Sequence, residues 1–488
     1  MNQLGAVLVS RSHTEGRAFR TASMCHRRLL ADPMVVVLWQ LGAEPFSAAA
    51  IGYGQRPDDL HMVVAGDPRN RDLAFAALLQ FAAWFTPRFE APAAQRVVLD
   101  RGRWQPEVAR ELPQIVVANR TTIDFIARLG RRLAYLTDSP QYPVPDGLVA
   151  LGRHLQFLGR HIDEPGQQLI VPLADLVADS WVTAQTEFER ASFEAIEAFI
   201  DPPTGIGPFD AAAEAELHPA GPLPASEEDE ALEPLVEAFN LARARGTERA
   251  LVEPLLGPIG AHYRPLTERT WRSIWRALAR ERAYPEAPSV ARRWDEDLLA
   301  YTRHIDWVSG GGYRRTRQTA RQAISTMNRL EDAKERLLTE EALDDPLQMI
   351  PYLLDGKAIE GEVVSIDLNH FEVARVNRVR RPLATIRTDL DRPMPAGKQL
   401  WWTQHAAGKP WVMDDWRPVP GGLLVTLKLT TGSQNAPVPA VGTQACFSIL
   451  NTNWQYPLEL NPAAPWPLRA QAATPAPAPI EDDSEGQA

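Results

Sequence analysis

Two short polar segments combine carboxylate, amide and guanidinium side chains that could support chemistry. The first follows a predicted strand and contains Asp67, Arg69 and Asp72, and the second contains Asn119 and Arg120. The carboxylates could bind a metal ion and the arginines an anion, because α/β folds place ligands at strand-to-helix turns. Alternatively, Asp67, Asn70 and Thr121 could cap helices or fix turns. An enzyme site and a structural role therefore both stay open.

A predicted long helix, residues 313–341, begins with the basic side chains Arg314, Arg315, Arg317 and Arg321. Cations in the first turns of a helix oppose the positive end of its dipole, so something negative should face them. A nucleic-acid backbone would supply that charge, and residues 264–336 carry 16 basic and 10 acidic side chains. The alternative is a set of carboxylates on the preceding predicted helix: Asp295, Glu296, Asp297 and Asp306.

The C-terminal part combines tryptophans with arginines in a region of period-two patterning. The candidate contacts for single-stranded nucleic acid are Arg378, Arg380, Arg381, Trp401 and Trp402. Adjacent residues of a strand face opposite sides, so one of the two neighbouring tryptophans should lie outside a core. The alternative is that the tryptophans fill a core and the arginines form cross-strand pairs.

Several catalytic classes lack their local signatures. No Gly-Lys pair is followed by Ser or Thr, and no Gly-x-Gly-x-x-Gly, Gly-x-Ser-x-Gly or His-Glu-x-x-His sequence is present. The histidines and the two cysteines show no metal-ligand spacing, so we predict no metal and no cofactor. His304 with Asp306 could act in catalysis, although isolated histidines are commonly structural.

The elements around the first two segments predict an α/β domain. Three strands, a helix, a strand and a second helix follow one another between residues 34 and 136. This order resembles the start of a ribonuclease H-like fold, which implies a carboxylate on the first strand and another at the end of the fourth. Those positions hold Gln40 or Leu41 and Asn119. Without carboxylates two magnesium ions could not be held, so the resemblance implies an inactive copy.

The whole chain reads as an α+β multidomain protein. The predicted parts are an α/β domain (30–140), a helical extension (141–200), an acidic Pro-rich linker (201–228), a helical domain (229–345), a small antiparallel β-barrel or sandwich (356–460) and a disordered tail (461–488). Candidate strands of the β domain include Ala358–Leu368, Phe371–Val379 and Gln399–Thr403.

Composition predicts the compartment and bounds the partners. Two distant cysteines fit a reducing compartment, and the longest apolar run is too short to cross a bilayer, so we expect a cytoplasmic protein with no membrane contact. The 46 arginines against five lysines indicate a GC-rich bacterial genome, so arginine content alone does not show phosphate binding. We expect a non-catalytic adaptor or scaffold that binds a protein partner or nucleic acid, with a metal-dependent hydrolase or nuclease-like enzyme as the alternative.

Overall fold

The N-terminal half is organised around a run of apolar, β-forming residues, Met34–Leu41, which is the central strand of a sheet. The computed structural model describes residues 3–42, 44–185, 192–245, 254, 256–312, 319–374, 377–390, 397–430 and 436–453. Seven of the eight residues in the central strand are buried. A strand that is apolar on both faces must be covered on both sides, so this sheet lies between two layers of helices.

Helices and strands of the described residues are numbered here in chain order. The helices are α1 (Gln3–Glu15), α2 (Arg71–Glu90), α3 (Arg120–Ala134), α4 (Leu148–His161), α5 (Leu173–Ser180), α6 (Phe193–Ile200), α7 (Pro208–Glu216), α8 (Ser226–Ala244), α9 (Leu256–Glu281), α10 (Val290–Ser309), α11 (Ala320–Asp344) and α12 (Pro346–Leu354). The strands before the barrel are β1 (Phe19–Arg20), β2 (Met34–Leu41), β3 (Glu44–Gly54), β4 (His61–Val64), β5 (Arg96–Val98), β6 (Glu107–Ala109), β7 (Ile115–Val117), β8 (Ile170–Pro172) and β9 (Trp181–Val182).

The five-stranded sheet has the order β4-β3-β2-β7-β8. The first three strands form an antiparallel meander, whereas β7 and β8 are added parallel to β2 on its other side. Alternate residues of β2 belong to two different cores. Val36 and Leu38 lie in a core shared with α2, α3, α4 and α10. Val37 and Trp39 lie in a core shared with α5, α6, α8 and α9.

Helices α3 and α4 pack closely because glycines lie at their contact. A Cβ atom on Gly130 would lie 2.4 Å from the Gln156 backbone nitrogen, and one on Gly152 would lie 2.3 Å from that of Ala134. Any larger side chain at these positions would push the two helices apart. Their packing therefore depends on residues that lack a side chain.

The C-terminal part forms a closed antiparallel barrel of six strands, in the order β10-β13-β16-β15-β14-β17. Its strands are β10 (Ala358–Asp367), β13 (Leu383–Thr388), β14 (Gln399–Trp402), β15 (Trp411–Val419), β16 (Gly422–Leu429) and β17 (Gln444–Ser448). A separate hairpin, β11 (Phe371–Ala374) with β12 (Asn377–Arg380), stands between β10 and β13. The expected mixture of an α/β sheet, helices and a small β-barrel is thus confirmed.

The helices of the described residues contain no segment with the length and apolarity needed to cross a bilayer. The division into domains stays a prediction. Part of the expected linker 201–228 is helical, as α7 and the start of α8. The expected tail 461–488 lies outside the described residues.

Candidate functional site

The first polar turn, after β4, is held together by its own hydrogen bonds. The Asp67 carboxylate accepts from the backbone and side-chain nitrogens of Arg69 at 3.0 and 3.1 Å and from Asn240 of α8 at 2.8 Å. Burial alone would raise the pKa of Asp67, but these hydrogen bonds hold it below the usual range. Asn70 caps α2, and the Asp72 side chain is exposed in its first turn. The carboxylate of Asp67 is therefore used to join this turn to α8.

The second polar turn, after β7, is also occupied by structural contacts. Oδ1 of Asn119 accepts hydrogen bonds from the Thr122 backbone and from the hydroxyls of Thr121 and Thr122, all at 2.9 Å. Asn119 is therefore the N-cap of α3, whereas the sequence analysis gave the capping role to Thr121. Arg120 lies 2.9 Å from Asp163 and 3.8 Å from Asp175.

The structure does not bring these two turns together. Strands β3 and β2 separate β4 from β7, which places the turns about 14 Å apart at the usual spacing of strands. No group of three or more metal-ligating side chains is found within the described part of the chain. The five residues considered as an enzyme site thus divide into two unrelated structural turns.

A segment of the chain itself fills the crevice between the ends of β2 and β7. The order of the strands reverses here, which is where an open α/β sheet binds its ligand. The Gln40 backbone N–H donates to Pro222 at 2.8 Å, and the Asn119 side-chain amide donates to the Gly221 carbonyl at 2.7 Å. Residues 221 and 222 therefore lie against Gln40 and Asn119 in this crevice.

Most of the basic residues at the start of the predicted long helix lie outside the described residues. Arg314, Arg315 and Arg317 are not among the described residues, whereas Arg321 is exposed on α11. Helix α11 begins at Ala320, later than the expected start at residue 313, because Thr319 and Gln322 form a capping box at its start. The three arginines precede Ala320 in the sequence, and their placement lies outside the described residues.

Three of the four carboxylates considered as intramolecular counterparts have other partners. Glu296 binds Arg292 at 2.5 Å, Asp297 binds His161 at 2.6 Å and the Gln168 backbone at 2.6 Å, and Asp306 binds Arg96 at 2.7 Å. The contacts of Arg314, Arg315 and Arg317 lie outside the described residues.

Other arginines of the helical part are neutralised within the molecule. Arg280 forms two hydrogen bonds with the buried Glu197, and Arg292 forms two with Glu340. Arg329 of α11 forms an ion pair with Glu164. The positive excess of residues 264–336 is therefore not one continuous free surface.

The barrel tryptophans divide between its core and its outside. Trp402 and Trp411 are buried in the core, whereas Trp401 is half-buried on the opposite face of β14 and Trp416 is exposed on β15. Trp454 lies outside the described residues. The pair Trp401 and Trp402 therefore does not form an exposed stacking platform.

The three arginines considered with these tryptophans lie at the hairpin. Arg378 is exposed, with its guanidinium carbon 4.6 Å from the centre of the Phe371 ring. The Arg380 side chain donates to the Leu368 carbonyl, and Arg381 lies 3.9 Å from Glu372. The structure thus places aromatic and basic groups together at Phe371, a residue that the sequence analysis did not select.

A buried histidine pair was also missed. Nδ1 of His154 lies 3.0 Å from Nε2 of His304, and Nε2 of His154 lies 2.8 Å from Glu90. His304, which was considered together with Asp306 as a catalytic pair, contacts His154 of α4, and Asp306 binds Arg96. Nothing in the spacing of residues 150 positions apart could have predicted it.

A scan against models of known protein families, a search of curated proteins and a search of solved structures each found no match.

Proposed function

We propose that the protein is a non-catalytic adaptor that binds macromolecular partners, with nucleic acid as the partner of its basic segment and C-terminal module. The observation that carries the non-catalytic part is the filled crevice between β2 and β7. A ligand could enter that crevice only after displacing residues 220–222. Asp67 and Asn119 are likewise used in turns and caps.

A ribonuclease H-like origin of the sheet is part of this proposal. A three-stranded meander followed by parallel strands on the side of the first strand supports it. Gln40 or Leu41 on the first strand, and the amide Asn119, stand where that resemblance implies carboxylates. An amide cannot replace a carboxylate as a ligand for paired magnesium ions, so this copy would lack nuclease activity.

The nucleic-acid part is supported by charge. Arg314, Arg315 and Arg317 come within four residues, and three carboxylates of α10 have described partners of their own: Glu296, Asp297 and Asp306. A cytoplasmic location is also proposed, since Cys25 and Cys446 are both free thiols.

The test uses the full chain and fluorescently labelled oligonucleotides followed by anisotropy. Charge reversal by Arg314→Glu with Arg317→Glu should weaken binding by about tenfold or more at low salt, because phosphate contacts dominate such affinity. The matched control is Arg103→Glu with Arg131→Glu, two exposed arginines of the N-terminal half with the same change in net charge. An equal loss in both variants would show only a general charge effect and contradict the assignment.

The same oligonucleotides, incubated with the protein and Mg²⁺ or Mn²⁺, should remain intact. Cleavage products that disappear in Asp67→Asn would overturn the non-catalytic assignment. Such a result would return the polar turn after β4 to the status of an active site.

A further inference from the structure

The β11–β12 hairpin is a two-stranded sheet that does not belong to the closed barrel. It is inserted between the neighbouring barrel strands β10 and β13. The barrel therefore closes without it. A hairpin that is not needed to complete a core is free to present both strands to a partner.

The pairing of the hairpin strands decides which side chains share a face. Phe371 is opposite Arg380, Val373 is opposite Arg378, and Glu372 is opposite Val379. Residues that are directly opposite in an antiparallel pair lie on the same face, and successive pairs alternate between faces. One face therefore carries Phe371, Val373, Arg378 and Arg380, and the other carries Glu372 and Val379.

The face with Glu372 is turned towards the barrel. Lys428 of β16 donates to the Glu372 carboxylate at 2.7 Å and also contacts Asp414 of β15 at 2.5 Å. The opposite face is open to solvent, since Val373 is 78% exposed and Phe371 is 40% exposed. The Glu372 carboxylate is thus neutralised on the face towards the barrel. The outer face carries two arginines and two apolar side chains.

The outer face matches the chemistry of an unpaired nucleotide. The Arg378 guanidinium carbon lies 4.6 Å from the centre of the Phe371 ring, so an aromatic ring and a positive charge are adjacent on this face. A base can stack on such a surface while its phosphate meets an arginine. Bases in a duplex are already stacked on each other and could use only the charge.

We propose that this outer face binds single-stranded nucleic acid. The inference rests on the proposed function and deepens it by naming the site and the form of the nucleic acid. Phe371 supplies the stacking surface, Arg378 holds the ring and meets the phosphate, and Val373 extends the apolar contact.

The test compares full-length variants for binding to labelled dT20 and U20 and to a duplex of the same length. Phe371→Leu should weaken single-strand binding by about 5- to 100-fold, the effect of removing one stacked base. Phe371→Trp should preserve it, because tryptophan keeps an aromatic face. Duplex binding should change less than single-strand binding in Phe371→Leu.

The matched control is Trp104→Ala with Arg103→Glu, an exposed aromatic and arginine of the β5–β6 hairpin. If the wild-type protein binds no oligonucleotide, the proposed function itself is rejected. Wild type that binds while Phe371→Leu and Arg378→Glu bind equally well would reject only the hairpin site. An equal loss of oligonucleotide affinity in the control variant would also overturn the site. So would displacement of the labelled oligonucleotide by poly-glutamate as effectively as by an unlabelled oligonucleotide of the same charge, since charge alone would then explain binding.

Discussion

Glu341, near the end of α11, is a half-buried carboxylate that lies among other charged groups. Burial raises the pKa of Glu341 to about 7, even though the positive charges of Arg293 and Arg27 oppose this shift and Asp179 and Glu340 add to it. The folded chain therefore binds a proton at this residue more tightly than the unfolded chain does. Stability from this group is complete at low pH and is lost as pH rises from about 4.5 to about 7.

The first prediction removes that titration. Glu341→Gln should raise the free energy of unfolding at pH 8 by about 1–3 kcal/mol, because wild type then has to bury a charge. At pH 5 the gain should nearly vanish, since the wild-type carboxyl group is protonated. Urea unfolding at pH 5 and pH 8 measures the two free energies of unfolding. The control is Glu335→Gln, since Glu335 is an exposed carboxylate of the same helix. A gain of equal size at both pH values would contradict the account.

The polar candidate residues show how far single residues can be interpreted from sequence. Asp67 was given a ligand-binding and a structural alternative, and the partner that makes it structural, Asn240, lies 173 positions away in the chain. Such a partner becomes a neighbour only through the fold, so local spacing could not choose between the two roles. Asn119 differs, because its capping contacts with Thr121 and Thr122 are local, yet the sequence analysis assigned the cap to Thr121.

At the scale of elements, the antiparallel pair α3 and α4 depends on backbone contact. A Cβ on Gly152 would lie 2.3 Å from the Ala134 nitrogen and 2.6 Å from the Leu133 carbonyl carbon. These are backbone atoms, which cannot rotate away as the end of a side chain can. The helices must separate to accept even one methyl group.

We therefore predict that Gly152→Ala lowers the free energy of unfolding by about 1–3 kcal/mol, because the overpacking outweighs the better helix propensity of alanine. Gly260→Ala in α9 is the control, since its new Cβ would have Met62 as its nearest neighbour at 3.8 Å. That change should be neutral or stabilising by up to about 1 kcal/mol. Thermal and urea unfolding of both variants measure the difference, and a Gly152→Ala variant as stable as wild type would refute the close-packing argument.

Periodicity predicted most elements but not all of their ends. Strands β2, β3 and β4 and helices α2 and α3 lie where the alternation and the helical repeat predict them, with shifts of a few residues. The predicted strand Phe371–Val379 proved to be two strands, β11 and β12. Residues 374–377 contain neither Gly nor Pro, and Asn377 is the one residue among them of a type common in turns. The hairpin and Phe371 were missed for that reason, although Arg378 and Arg380 had been selected.

At the scale of the whole molecule, a sheet covered on both faces is followed by a closed barrel that bears a basic hairpin. This order of parts could be predicted from the sequence because the pattern of apolar residues in each element is local. The sequence could not predict that residues 220–222 would fill the crevice between β2 and β7. A segment rich in Pro, Gly and acids predicts a loop but does not indicate where the loop lies.

The salt dependence of single-strand binding by the intact protein tests the central claim most directly. The logarithm of the affinity for dT20 should fall linearly with the logarithm of salt concentration. In Arg378→Ala the slope should become shallower by about 0.7, the loss of one phosphate contact on a single strand. An affinity that does not change with salt, or a slope that Arg378→Ala leaves unaltered, would contradict a nucleic-acid-binding role for the hairpin.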